Sequence, residues 1–297
     1  MGRAILRSIL VGLVLVAAMY LVGCGAGQSA QKSMAASTQT ATSSPSSSTS
    51  ATGSSGSTPT ASGATSAAAA SILPTPPATA TVFANIQSTP VTGDCNAANC
   101  AGGSGNSSYF NAINQSTPSL SGASLEIDSE GAGANALFYW HNSTDPALVG
   151  SISHFLEDFW VYTDNTAGVQ GFEYDPDWYV QGYKFDMSMQ CDYADGKIWR
   201  LWDSLHNQWV AVSPALPCGW SINTWHHVQL YVTASLASHN YTYQAMVIDG
   251  NATVLNATYS ALSNGWGPTI GTEAQLDGNS SGVPIHEWID KMTLTVW

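Results

Sequence analysis

The chain has 297 residues, a formal net charge of −13, and 20 Asp and Glu against 7 Lys and Arg. Its length and 44% hydrophobic content allow one well-buried domain. The shortage of cations excludes a surface for nucleic acid or anionic lipid, both of which need clustered Lys and Arg; neutral glycans, calcium or simple solubility fit the balance.

At the N-terminus Arg3 and Arg7 precede an apolar run, Ile9 to Val22, of about 14 residues. A membrane-spanning helix needs roughly 20, so the run reads as a signal-peptide core. Leu21-Val22-Gly23-Cys24 resembles a bacterial lipobox. The resemblance implies that residues 1–23 are removed and that Cys24 carries lipid. The rest would be exported to the cell envelope, periplasmic or surface-exposed, touching membrane only through that anchor. From Gly27 to about Ala80 the chain is nearly all Ser, Thr, Ala, Gly, Gln and Pro, with Lys32 the one charge. Such a segment cannot bury enough apolar surface to offset chain entropy, so residues 24–81 are expected to be a disordered linker. About 55 residues of this kind span roughly 40 Å on average.

Residues 82–297 are dense in aromatics and form the predicted domain. With Cys24 set aside, Cys95, Cys100, Cys191 and Cys218 leave an even set for an oxidising compartment. The short Cys95–Cys100 loop can close locally, Cys191 then pairing with Cys218, although two other pairings are formally open. No Cys-x-x-Cys unit and no His at ligand spacing suggest a metal. Alternating runs predict strands at Leu125–Ser129, Ala136–Trp140, His154–Thr163, Val169–Asp175, Gly182–Asp192, Ile198–Asp203 and Trp209–Val212. Further runs are His226–Ala234, Tyr241–Asp249, Ala252–Tyr259, Ile270–Asp277 and Trp288–Trp297, with a hairpin turn at Asp249-Gly250-Asn251. Many strands without an amphipathic helix predict an all-β sandwich of two antiparallel sheets.

Period-2 alternation assigns faces. Tyr183, Phe185, Met187, Met189 and Cys191 share a buried face, opposite Lys184, Asp186, Ser188, Gln190 and Asp192. Ala274 and Leu276 alternate with Glu273, Gln275 and Asp277.

The order of Gly171-Phe172-Glu173-Tyr174-Asp175, Met189-Gln190-Cys191-Asp192, Trp199-Arg200-Leu201-Trp202 and Pro217-Cys218 is distinctive. So is its continuation through Trp225-His226-His227-Val228, Val247-Ile248-Asp249-Gly250, Gln275-Leu276-Asp277-Gly278-Asn279 and Trp288-Ile289-Asp290. Over 82–297 the chain resembles exported bacterial proteins of the concanavalin A-like lectin/glucanase superfamily. The resemblance implies a jelly roll whose concave sheet presents sugars to its solvent face.

Three groups of residues are candidates for chemistry. Glu126-Ile127-Asp128-Ser129-Glu130 resembles the Glu-x-Asp-x-Glu strand of retaining β-glucanases, and Glu126, Asp128 and Glu130 share a face. It stands near the domain's start, before Gly131 and Gly133, where an acidic edge strand explains it equally well. Glu173-Tyr174-Asp175-Pro176-Asp177 is better placed, ahead of Trp225-His226, so Glu173, Asp175 and Asp177 are the catalytic candidates if the protein is an enzyme. A shorter Asp, however, closes less of the roughly 13 Å between i and i+4. Pro176 is expected to end the strand and aim Asp177 elsewhere. The third group is a carbohydrate-binding face of Glu173, Asp175, Gln190, Gln275 and Asp277, with Lys184, Asp186 and Ser188 nearby. Trp199 is the expected stacking platform, ahead of Trp178, Trp202 and Trp209.

The resulting expectation is a monomeric, lipid-anchored, lectin-like domain that binds a polysaccharide without catalysis and takes no cofactor. A glycoside hydrolase or polysaccharide lyase on the same face is the alternative, and a structural envelope protein the third. The acids open to a structural calcium are Asp192, Asp195, Asp277 and Asp290. Asp290, following Trp288 on a buried register, better suits a hydrogen-bond acceptor. Neighbouring His226 and His227 should point to opposite faces.

Overall fold

A computed structural model describes residues 72–96, 108–131 and 135–297. The predicted signal peptide, Cys24, most of the linker, Cys100 and Gly133 lie outside the described residues. The strands, in order, are β1 (Thr81–Ala84), β2 (Gly93–Asn96), β3 (Ser108–Gln115), β4 (Ser124–Glu130), β5 (Ala136–Ser143) and β6 (His154–Thr163). There follow β7 (Val169–Val180), β8 (Tyr183–Asp186), β9 (Met189–Asp192), β10 (Ile198–Asp203), β11 (Gln208–Ala211) and β12 (His226–Ser235). The last are β13 (Asn240–Ile248), β14 (Asn251–Ser260), β15 (Leu262–Ser263), β16 (Thr269–Gly278) and β17 (Ile285–Val296).

Two antiparallel sheets form a β-sandwich. Sheet A runs β14-β13-β12-β6-β17-β4-β3, with β1 also on β17. Sheet B runs β11-β10-β9-β7-β16-β5-β2, with β8 on β7 and β15 on β8. The interior is aromatic. Phe159 of sheet A meets Tyr174 of sheet B at 4.4 Å between ring centroids, and Phe155 meets Trp178 at 5.5 Å. Tyr243 and Tyr241, on sheet A, extend their hydroxyls across the interior to donate to the carbonyls of Ser188 and Trp202 in sheet B. Each such ring removes upward of 150 Å² from water, and the two hydroxyls pin the β9–β10 part of sheet B.

Asp249 and Gly250 adopt φ of 49° and 79°. This is the left-handed pair that a two-residue hairpin needs, and it joins β13 to β14 where the sequence predicts. Cys191 is bonded to Cys218, tying β9 to the segment after β11. Cys95 is also disulfide-bonded.

One sequence expectation is corrected here. Pro176 does not end its strand: β7 continues to Val180 through the middle of sheet B. The pairs on either side, Trp178 with Phe185 and Tyr174 with Met189, keep one register. The missing Pro176 N–H only interrupts the ladder opposite Met187, whose N–H still donates to the Pro176 carbonyl at 3.2 Å. The predicted strand Gly182–Asp192 is therefore divided into β8 and β9 by its neighbour, and Asp177 stays on the face of Glu173 and Asp175.

Candidate functional site

Five adjacent strands of sheet B bring the polar candidates together. Register lays Leu137, Gln275, Glu173, Gln190 and Arg200 in one row across β5, β16, β7, β9 and β10. The Gln275 amide donates to Glu173 Oε2 and to Asp277 Oδ1, both at 3.0 Å. The Gln190 amide donates to Asp277 Oδ2 at 2.8 Å and reaches Glu173 Oε2 at 3.5 Å. Two carboxyls and two amides thus close a ring of hydrogen bonds. Gly171 makes this closure feasible, because a Cβ there would stand 3.0 Å from the Gln190 amide carbon and nitrogen.

Along β7 the acids continue. Glu273 stands directly opposite Asp175, and Asp177 lies between Gly271 and Asp186. Asp175 is 3% exposed and Asp177 1%, and each keeps one carboxyl oxygen, Oδ1, buried without a hydrogen-bond partner. Glu173 and Glu273 flank Asp175, so these carboxyls lie beside one another and each disfavours the charge of the next. Burial is the first cause that raises proton affinity at Glu173, Asp175, Asp177 and Glu273. It also lifts Asp277 to about 7, against the hydrogen bonds from Gln275 and Gln190.

Lys184 is the cation of this floor. Its ammonium lies 3.1 Å from Asp186 Oδ2 and 3.3 Å from Asp177 Oδ2, 5.6 Å from the centroid of the Tyr179 ring. Although burial opposes its charge, Asp177, Asp186 and Glu273 keep it ionised. Tyr179 also donates to Asp177 at 3.2 Å and stacks on Trp266, which is 37% exposed, at 4.8 Å.

The expected platform residue is corrected. Trp199 is fully buried, on the interior face of β10, edge-on to Trp220 at 5.5 Å. Trp178 is likewise interior, its indole N–H donating to the Val149 carbonyl. Alternation along β10 puts Arg200 and Trp202 on the outer face instead, with Trp209 directly opposite Trp202 and 5.0 Å away. Sequence reasoning placed Glu273 on the correct face but left it out of the site; its parity with Gln275 and Asp277 was the available signal.

The remaining candidates go elsewhere. Glu126, Asp128 and Glu130 face outward on sheet A, so they do not join Glu173. Their strand is not an edge, because β3 pairs outside it. Asp128 lies opposite Phe110 and His286 beside a cavity of about 270 Å³ and is pushed up to about 6 by burial. The four acids considered for calcium are engaged in three separate places. Asp192 and Asp195 pair with Arg200, and Asp277 closes the ring with the two amides. Asp290 accepts from Ser119, Leu120, Ser121 and Lys291. Among the described residues no three His, Cys, Asp or Glu side chains are grouped to hold a metal. His226 pairs with Asp249, and His227 with Asp158 while stacking on Trp160.

No family model and no curated protein matches the sequence. Solved structures similar to the chain include the alginate lyase Aly36B, 13% identical, covering 72% of this chain and 96% of that one at a TM-score of 0.42. Peanut lectin is 13% identical, covering 73% and 98% at a TM-score of 0.39. Lectin II from Ulex europaeus is 10% identical, covering 72% and 97% at a TM-score of 0.38.

Proposed function

We propose that the outer face of sheet B binds a glycan, and that the protein is an exported, lipid-anchored carbohydrate-binding protein. One observation carries the reading: the closed ring of Glu173, Gln190, Asp277 and Gln275 shares the outer face of sheet B with Tyr179 and Trp202, with the unpaired oxygens of Asp175 and Asp177 on the same face. Sugars are recognised by planar hydrogen-bonding groups held beside a ring face, and a closed ring of amides and carboxyls is already ordered before a ligand arrives. Cys24 as the lipid site, the 24–81 segment as a tether and a monomeric state complete the proposal. Cys24→Ser is expected to release the protein from membranes into the soluble fraction.

The test is a glycan array probed with the full chain. Retention of a defined glycan, lost on Glu173→Gln, supports the reading. Failure to retain any glycan would leave the structural-envelope alternative. A second reading, glycoside hydrolysis, is favoured by Glu273 standing directly opposite Asp175. Side chains so paired start about 4.5–5.5 Å apart at Cβ, near the separation that retaining hydrolysis requires of its carboxyls. Reducing-sugar release from a retained glycan, abolished by both Asp175→Asn and Glu273→Gln, would establish it.

A further inference from the structure

We propose that this groove selects a glycan bearing free amino groups, a cationic amino-sugar chain, over neutral and anionic ones; the inference rests on the glycan reading above. The floor carries Glu173, Asp175, Asp177, Asp186, Glu273 and Asp277, and the cation within it is Lys184. That lysine displays how the floor receives an ammonium: carboxylate oxygens on Asp177 and Asp186 at 3.3 and 3.1 Å and a tyrosine ring 5.6 Å away. Its ion pairs are with Asp177 and Asp186, and its charge acts more weakly on Glu273 and Asp175. Among the described residues no cation forms an ion pair with Glu173, Asp175 or Glu273, and Asp175 Oδ1 is buried without a hydrogen-bond partner.

Burial and the neighbouring carboxyls raise the proton affinity of these acids. A sugar ammonium brings three N–H donors and a charge, so it supplies the open oxygen with a donor and offsets the crowded carboxylates. A hydroxyl at the same place offers one donor and no charge. A uronate or sulfate adds a further negative charge to the cluster and is repelled. A divalent metal suits the floor less well, since no three of these side chains are arranged to ligate one. Trp266, exposed and stacked on Tyr179, offers a ring face to the sugar next to the ammonium position.

The experiment compares a glucosamine tetrasaccharide, its fully N-acetylated counterpart and a uronic acid tetrasaccharide by calorimetric titration of the full chain. The expected result is that the free-amine ligand binds at least tenfold more tightly than the acetylated one, with the uronate weakest. Asp175→Asn is expected to shrink the tenfold preference to twofold or less. Lys184→Gln, which removes the resident competitor for Asp177 and Asp186, is expected to enlarge it. Asp158→Asn, on sheet A, is expected to leave the preference unchanged. That separates the groove from attraction to a chain of net charge −13. Equal or weaker binding of the amine ligand, with the acetylated one still bound, overturns the inference and leaves glycan binding standing. So does an Asp158→Asn effect as large as that of Asp175→Asn. Binding of no tetrasaccharide overturns both.

Discussion

Two groups of buried carboxyls face opposite problems. Between the sheets, Glu157 and Glu287 are fully buried, and desolvation lifts each to about 8. Glu287 accepts from the Tyr174 hydroxyl, and both Glu157 carboxyl oxygens lack a hydrogen-bond partner. On the outer face of sheet B, Glu173, Asp175, Asp177 and Glu273 are also pushed up, but they are adjacent to one another, to Lys184 and to two amides. A raised proton affinity therefore does not mark a binding site by itself. The interior pair keeps its protons as part of the core, whereas the outer group includes Glu173 and Glu273, which are half-buried on the outer face of sheet B.

The comparison can be broken most strongly at the two tryptophans of β10. Trp199→Ala empties an interior position and should cost about 3–5 kcal/mol of stability, while leaving glycan affinity per folded molecule unchanged. Trp202→Ala, on the outer face against Trp209, should lower affinity as well as stability. Denaturant unfolding and titration on the same samples separate the two outcomes, and equal effects on affinity would remove the distinction between faces.

Next in size is the alkaline response. Glu157 and Glu287 bind protons more tightly folded than unfolded, so their contribution is full below the unfolded value near 4.5 and declines as pH rises to about 8. Glu157→Gln should flatten that decline, gaining roughly 2–4 kcal/mol over the native chain at pH 9. Stability curves at pH 5, 7 and 9 that run parallel for the two proteins would show that Glu157 is not protonated in the core.

Asp290 is the contrasting acid, held below its ordinary value by hydrogen bonds from Ser121, Ser119 and Leu120 although burial opposes it. Asp290→Ala should cost about 2 kcal/mol at neutral pH by freeing the 119–121 loop. The native contribution is lost as pH falls through the depressed folded value, so the two proteins should converge in acid. The smallest effect is expected at Gly171→Ala. The new Cβ meets the Gln190 amide, weakening glycan binding several-fold with under about 1 kcal/mol change in stability.

Much of the fold was legible because alternation is a direct consequence of strand geometry. His154–Thr163 and Ile198–Asp203 occur at their predicted bounds. β2 and β3, short runs rich in Asn, Gly and Ser, were not predicted, because they are strands through pairing with β5 and β4 and not through their own propensity. In the site, parity on β7, β9 and β16 placed Glu173, Asp175, Gln190, Gln275 and Asp277 on one face. Parity failed on β10, where Ile198, Trp199, Leu201 and Trp202 are apolar on both faces, and Trp199 was assigned outward. Glu273 was passed over for a different reason. Its importance comes from standing opposite Asp175, and strand order is decided by the whole sheet.

The bridge from Cys191 to Cys218 holds the residue next to Gln190. In a reducing cytosol such a bond does not persist, so a chain retained there lacks the staple beside its ring of amides and carboxyls. Oxidation therefore adds a covalent tie between β9 and the segment after β11 that the reduced chain does without.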